Sequence, residues 1–482
     1  MFLAEGAWSF DLSQFDSVWK FILEVVILLL FLLIGNMLRR VIPFLRKAFI
    51  PSALLGGLLL LGVSIFSSKV LHYDLIEARH MQIITYHSLA IGFIAMSLKA
   101  VDKSKKGKIG MMATKNGVLT GGTYMLQAIL GLGVSLIFFA LGAEKFYAAG
   151  IILPLGFGQG PGNALTWDIN FTNLLTAEGA QIFNGQGSFG LTIASVGFIV
   201  ASVVGVTYIE IFKKKGQIKP KEETLERKVS DFEEEGEIED SESVDKTSIQ
   251  IAFVALCYLL AFGVMFLLAK VSEWTGIAVF NSIAWGFNFI FGVLTAALVK
   301  AVLNFLKKKN IVKKQYINNY QMDRISGFAF DLMIIAGVAA IDIAIVKDYA
   351  WLIVVLCTVG TIATLVYVKL MAKTCFKDFE HEAFLVNFGT LTGTASNGMI
   401  LLREVDPNFE TPAADVYIVS QFTATLCVAP LLFLLNMCGN SLKGCFIALG
   451  IFTLLFALYT LFLVLSSKGI IFKGKKNKEE SV

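Results

Sequence analysis

From Val18 to Ser466 the chain is a succession of apolar runs close to the roughly 20 residues that an α-helix needs to cross about 30 Å of hydrocarbon. None of them alternates polar and apolar residues with the period of two that a membrane barrel requires. Lipid leaves a backbone only the helix and the closed barrel, so the expected fold is an all-α polytopic membrane protein. Composition agrees: of 482 residues 56% are hydrophobic and 16% charged, and the mean hydropathy is +0.71, beyond the range of ordinary soluble domains. The opening stretch MFLAEGAWSFDLSQFDSVWK carries acidic residues rather than a basic region, and no small-residue cleavage site follows the first apolar run. Val18 to Met37 is therefore expected to remain as a first span.

Orientation follows from where Lys and Arg gather. Arg39 to Lys47, Lys99 to Lys108, Lys213 to Lys221, Lys307 to Lys314, Lys369 to Lys377 and Lys473 to Lys478 are expected to be cytoplasmic, which puts the N-terminus outside and the C-terminus inside. The spans between them read as Val18–Met37, Pro51–Ser68, Gln82–Leu98, Gly117–Leu141 and Phe189–Phe212, then Ile249–Lys270, Phe280–Val302, Ile325–Val346, Trp351–Ala372, Ala414–Asn436 and Phe446–Ser466. Between the two sets lies an acidic stretch, FEEEGEIEDSESVDK, too polar to form a core and expected to be a cytoplasmic connector. The expected organisation is a first repeat over residues 1–212, a linker over 213–248, a second repeat over 249–436, and an added span with a basic tail over 437–482.

Each half holds four spans, a Gly/Thr/Asn-rich interruption and a fifth span, and the halves start on opposite sides of the membrane. That is the pattern of two inverted-topology five-span repeats, each with a re-entrant segment, here 152–173 and 387–412, plus an extra C-terminal span. Backbone without helical hydrogen bonds survives at membrane depth only when packed in protein or lining a wet cavity. The first interruption offers Gln159, Asn163 and Thr166 beside four glycines and Pro161; the second offers Asn387, Thr390, Thr392, Thr394, Ser396 and Asn397. Freed amides suit an anionic group and freed carbonyls a hard cation such as Na+. The plain alternative, for either segment alone, is a loop at the membrane surface. No Lys-Ser/Thr follows the glycines and no strand precedes them, so a phosphate-binding loop is not expected.

These features resemble the bacterial sodium/glutamate symporter family over about the first 436 residues, on IPSALLGGLLLL (Ile50 to Leu61), GFGQGPGNALTW (Gly156 to Trp167) and NFGTLTGTASNGM (Asn387 to Met399). The resemblance implies a multi-pass protein of the bacterial inner membrane and an elevator-like homodimer that carries glutamate inward with Na+. The chain departs from that family in two places: Gln159 and Pro161 stand in a first loop that is of a Gly-Gly-His-Gly-Thr-Gly type there, and the extra span brings the C-terminus inside.

Charges within spans are the remaining candidates. Asp331 and Asp342 stand eleven residues apart in one expected span, which would put them on one helix face, available to Na+ or a proton. The alternative for each is interfacial water or a neighbouring Lys. Glu24 reads as lying near the outer interface. Arg403 follows the second interruption and could grip a carboxylate through two parallel hydrogen bonds, or pair with Glu404 or Asp406, or lie at the surface. Asp168 and Asn170 follow the first tip and also have the composition of loop caps. The expected substrate ligands are thus Gln159, Asn163, Thr392, Thr394, Ser396, Asn397 and Arg403, and the expected coupling ligands Asn163, Thr166, Asn387, Asp331 and Asp342.

His72, His80, His87 and His381 make no ligand pair at helical spacing, so no transition-metal site is expected. Cys438 and Cys445 flank the short outer loop and read as free thiols rather than a disulfide, and no Ser-His-Asp arrangement points to an enzyme. No nucleic-acid partner is expected. The functional alternatives are proton-coupled transport or export of a different organic anion or amino acid on the same fold and, with less support, a channel or sensor. A channel would show flux without accumulation, and a sensor binding without flux.

Overall fold

The computed structural model describes residues 18–99, 103–144, 146–175, 181–218, 245–276, 278–311, 314–406 and 410–468. Most of the acidic connector and the basic tail beyond residue 468 lie outside them. Among the described residues there is no strand, and eighteen α-helices follow one another. They are α1 (Val18–Val41), α2 (Pro43–Lys47), α3 (Ser52–Phe66), α4 (Ala78–Leu98), α5 (Lys103–Ala140), α6 (Ile152–Gln159), α7 (Pro161–Thr172), α8 (Ser188–Lys214), α9 (Lys246–Thr275), α10 (Ala278–Gly286), α11 (Asn288–Lys308), α12 (Asn319–Ala339), α13 (Ile343–Asp348), α14 (Ala350–Cys375), α15 (Glu380–Thr392), α16 (Ala395–Val405), α17 (Ala413–Asn440) and α18 (Leu442–Ser467). Ten of the described helices are long and apolar enough to cross a membrane, so the chain is an all-α polytopic membrane protein.

Local chemistry sets the ends. Asp245 caps α9 by accepting from Thr247 N and Ser248 N, Asn318 caps α12 through Gln321 N, and Ser441 caps α18 through Gly444 N. The hydroxyl of Ser248 and the amide of Thr247 hold the Asp245 carboxyl below the ordinary carboxylate range. Arg39 and Arg40 close α1, Lys213 and Lys214 close α8, and Lys307 and Lys308 close α11, each complementing the negative end of its helix dipole.

The helices sort into two bundles. In one, α1 packs on α3, α3 on α12, α12 on α4, α4 on α11, and α11 on α9. In the other, α5 packs on α14, α17 and α18, while α6, α7, α8, α15 and α16 fill the space between them. The principal contacts between bundles run through α7 and α8, which meet α4, α10 and α12. Small residues line that boundary: a Cβ placed on Gly337 would lie 3.0 Å from Pro161 Cβ, and one on Gly162 would lie 2.8 Å from Leu89 Cβ. Contacts made by the first half recur in the second, with α1 on α3 matched by α9 on α11, α3 on α12 by α11 on α4, and α6 on α7 by α15 on α16.

Several expectations need correction. The expected span Ile325–Val346 is not one helix: α12 stops at Ala339 and Asp342 starts a new helix, α13, by accepting from Ala344 N at 2.8 Å. Asp331 and Asp342 therefore share no helix face, and both are exposed. The apolar stretch Ile341 to Val346 reads as a continuation, but an Asp at the N-cap satisfies an amide that a helix interior would not offer it. The expected span Phe280–Val302 is likewise interrupted at Phe287, between α10 and α11. Tyr86 clamps this break, its hydroxyl donating to Trp285 O at 2.7 Å and its carbonyl accepting from Asn288 Nδ2 at 3.1 Å. Glu24, expected near the outer interface, is 1% exposed within the protein: it accepts from Glu77 N at 3.0 Å, and its Oε2 lies 2.5 Å from His80 Nδ1. Cys438 and Cys445, in contrast, are free thiols as expected, and both are buried.

Candidate functional site

Both sequence interruptions are helix, break and helix again. α6 ends at Gln159 and α7 begins at Pro161, and Gly160 between them has φ +78° and ψ −173°, a conformation that favours glycine. Pro161 opens α7 where an amide hydrogen would have no partner in any case. α15 ends at Thr392 and α16 begins at Ala395; between them Gly393 has φ −138° and ψ −107°, and Thr394 is extended.

The two breaks meet. A Cβ placed on Gly160 would lie 3.5 Å from Thr394 Cγ2 and 3.3 Å from Met333 Cε. Four helix ends therefore converge: the C-termini of α6 and α15, with unused carbonyls, and the N-termini of α7 and α16, with unused amides and the positive ends of their dipoles.

Each of the two outgoing helices carries an asparagine as its third residue, Asn163 in α7 and Asn397 in α16. Asn163 is fully buried and its Nδ2 donates to Gln159 Oε1 at 2.7 Å, which leaves its Oδ1 without a partner. Asn397 is 5% exposed and its Oδ1 accepts from Thr394 Oγ1 at 3.2 Å, which leaves its Nδ2 without a partner. An unsatisfied buried polar atom costs about 1–3 kcal/mol, so a pair of them, one acceptor and one donor, marks a place where a ligand supplies what the protein does not. Gln159 and Thr394 are half-buried and Ser396 is exposed, so the meeting point is not sealed.

The remaining candidates scatter. Thr166 and Thr392 spend their hydroxyls on their own helices, bonding Gly162 O and Phe388 O at 2.8 and 2.7 Å. Arg403 is exposed in the last turn of α16. Asp331 faces outward from α12, with Arg39 of α1 as its nearby charge. Asn387 joins a separate buried cluster with Asn116 of α5, described below. Asp168, fully buried near the end of α7, accepts from Gly190 N at 2.8 Å and so ties α7 to the first turn of α8.

Residues outside the two motifs complete the surroundings. Gln127 of α5 donates to Leu391 O at 3.0 Å, capping the broken end of α15, and to Thr364 Oγ1 of α14 at 2.8 Å. Tyr124 lies beside Gln159, and α8 passes the second break so closely that a Cβ on Gly197 would sit 2.4 Å from Thr392 O. A signal for α5 was present in the sequence: Asn116, Thr120, Thr123 and Gln127 fall at i, i+4, i+7 and i+11, one polar stripe on an apolar helix. No family model matches the chain, and no curated protein matches it, so the site is interpreted from its own residues.

Proposed function

We propose that this protein is a secondary active transporter that carries glutamate or a similar small amino acid or carboxylate into the cell together with Na+. The observation that carries the reading is the pair Asn163 and Asn397, each the third residue of a half-helix that starts at one of the two meeting breaks, and each with one buried polar atom free. The free acceptor, Asn163 Oδ1, suits an ammonium group. The free donor, Asn397 Nδ2, suits a carboxylate, and the two helix N-termini add positive potential that a net negative substrate needs. The carbonyl ends of α6 and α15 suit a hard monovalent cation.

The recurrence of contacts between halves supports inverted-topology repeats with re-entrant segments at α6–α7 and α15–α16. The basic helix ends support an N-terminus outside and a C-terminus in the cytoplasm of a bacterial inner membrane. In this reading the bundle that holds both breaks moves as a unit against the bundle of α1, α3, α4 and α9–α12, across the small-residue boundary at Gly162 and Gly337. A homodimer built through the static bundle completes the scheme. Asp342 is occupied as a helix cap and Asp331 faces away from the breaks, which favours Na+ over a proton as the coupling ion.

Uptake of radiolabelled glutamate into proteoliposomes, with and without an inward Na+ gradient, tests the proposal. Accumulation that requires the gradient and is lost in Asn397→Ala supports it. No accumulation under either a Na+ or a proton gradient overturns the substrate, and flux without accumulation points to a channel.

A further inference from the structure

We propose that Asn116 of α5, Asn387 of α15 and Ser420 of α17 form a binding site for one monovalent cation, with Na+ as the occupant, set apart from the two breaks. The role of that ion as the coupling ion rests on the transport reading above; the existence of the site does not.

The three side chains are 1%, 1% and 0% exposed and come from three different helices. They form a chain of donors running one way: Asn387 Nδ2 donates to Asn116 Oδ1 at 2.7 Å, Asn116 Nδ2 to Ser420 Oγ at 2.9 Å, and Ser420 Oγ to Tyr417 O at 2.7 Å. Asn387 Nδ2 also donates to Ala383 O at 2.8 Å, so both of its hydrogens are used. What is left over is oxygen: Asn387 Oδ1 is buried and has no partner. Natural proteins rarely bury an acceptor that nothing meets, and here the unmet atom belongs to a side chain whose hydrogen-bonded chain carries two further side-chain oxygens, Asn116 Oδ1 and Ser420 Oγ.

The donor set selects the ligand class. Asn387 Oδ1, Asn116 Oδ1 and Ser420 Oγ are neutral hard oxygens, which suit an alkali cation and offer nothing to a soft transition metal. Among the described residues no group of His, Cys, Asp and Glu could hold a metal ion, so a divalent cation here would bury two charges with no counter-charge. Lys115, the neighbour of Asn116 in sequence, acts on Cys375 of α14, off this cluster.

The position gives the ion a consequence. Asn387 lies in the same helix, α15, that ends at Thr392 and leads into the second break, and Gln127 already holds Leu391 O in the last turn of that helix. An ion that binds Asn387 to α5 and α17 fixes α15, and with it the placement of Thr394 and Asn397 against the first break. Substrate then finds its site formed only when the cation is bound, which is the thermodynamic requirement for coupling.

The test is equilibrium binding of radioactive Na+ to the purified full-length protein without substrate, with choline and K+ as competitors. The wild type should bind Na+ saturably. Ser420→Ala, which removes one oxygen with little change in volume, should weaken binding about 10-fold. Asn116→Asp adds a counter-charge and should tighten binding and make it pH-dependent, a gain that a misfolded variant would not show. Asn397→Ala, at the second break, should lose glutamate uptake but keep Na+ binding. Equal Na+ binding by the wild type, Ser420→Ala and Asn116→Asp overturns the site, as does the absence of saturable binding in the wild type. Na+-driven glutamate uptake with unaltered Na+ dependence in Ser420→Ala overturns the site while leaving the transport reading intact, and loss of uptake in the wild type with Na+ binding intact overturns that reading alone.

Discussion

The two breaks solve one problem with different residues. At the first, Gly160 takes a left-handed φ and Pro161 restarts the helix, so the turn is built into the backbone. At the second, no residue takes a positive φ, Thr394 is extended, and the turn is held by neighbours: Gln127 on Leu391 O, Ala201 against Gly393, and Gly398 packed against Val386 O. The first break also faces the other bundle through Met333 and Gly337, whereas the second is enclosed by its own bundle. Under the transport proposal, a rigid turn at the boundary and a supported turn inside the bundle would divide the labour: the first would present substrate to the moving interface, and the second would respond to what is bound behind it.

Both breaks are followed by a buried carboxylate that secures the route to the next long helix, and these give the largest expected difference. Asp168 is fully buried and accepts from Gly190 N and from Thr172 Oγ1. Asp406, also buried, accepts from Glu410 N, Thr411 N and Thr411 Oγ1, partners only four and five residues on, so it ties a local turn rather than two helices. Asp168→Ala should cost about 3–5 kcal/mol of stability and Asp406→Ala about half as much, read as loss of thermal stability of the purified protein. An equal loss would mean that the two halves are anchored alike and that the asymmetry ends at the turns.

Next in size are the two asparagines. Each Ala variant should weaken glutamate binding by about 10- to 100-fold, the cost of leaving a charged group one hydrogen bond short. The comparison sharpens with glutarate, which keeps both carboxylates but has no ammonium. Asn163→Ala should weaken glutarate binding much less than glutamate binding, whereas Asn397→Ala should weaken both alike, as competition assays would report. Equal sensitivity of both variants to both ligands would remove the assignment of ammonium to the first break and carboxylate to the second.

Smaller again is the effect of close packing at the second break. Gly197→Ala would set a methyl group 2.4 Å from Thr392 O, so α8 and α15 must part, at a cost of about 1–3 kcal/mol in thermal stability. Gly133→Ala on α5 meets nothing within 4 Å and should be neutral or stabilising by up to about 1 kcal/mol. If the two variants behave alike, the second break is not supported by α8, and the contrast with the self-supporting first break fails.

How much of this was legible in the sequence depends on the range of the interaction. Most of the spans followed from hydropathy and the placement of basic residues, and Gly160–Pro161 announced a break because those residue types act on their own backbone. Asp342 was misread because an apolar run on either side hides a cap until the helix before it is known to stop. Asn116 and Ser420 were passed over for another reason: their meaning lies in Asn387, 271 residues from Asn116, and no local pattern encodes that meeting. The pairing of Glu24 with His80 was hidden in the same way, since the two are 56 residues apart.

The smallest expected effect bears on the one cation that stands near the second break in the sequence. Arg403 follows the polar tip directly, and a guanidinium there would be the obvious partner for a substrate carboxylate. In the fold, however, α16 turns Asn397 inward and Arg403 outward, six residues and less than two full turns along the same helix. Positive potential at the breaks then comes from two helix N-termini and needs no buried guanidinium, whose desolvation would cost several kcal/mol. Arg403→Gln should therefore leave the glutamate concentration for half-maximal uptake within about threefold of wild type, in the range of an exposed charge. A loss above about 10-fold at normal yield would place the guanidinium on the substrate in another state of the cycle. The second break would then hold the carboxylate by charge, and Asn397 would serve to position it.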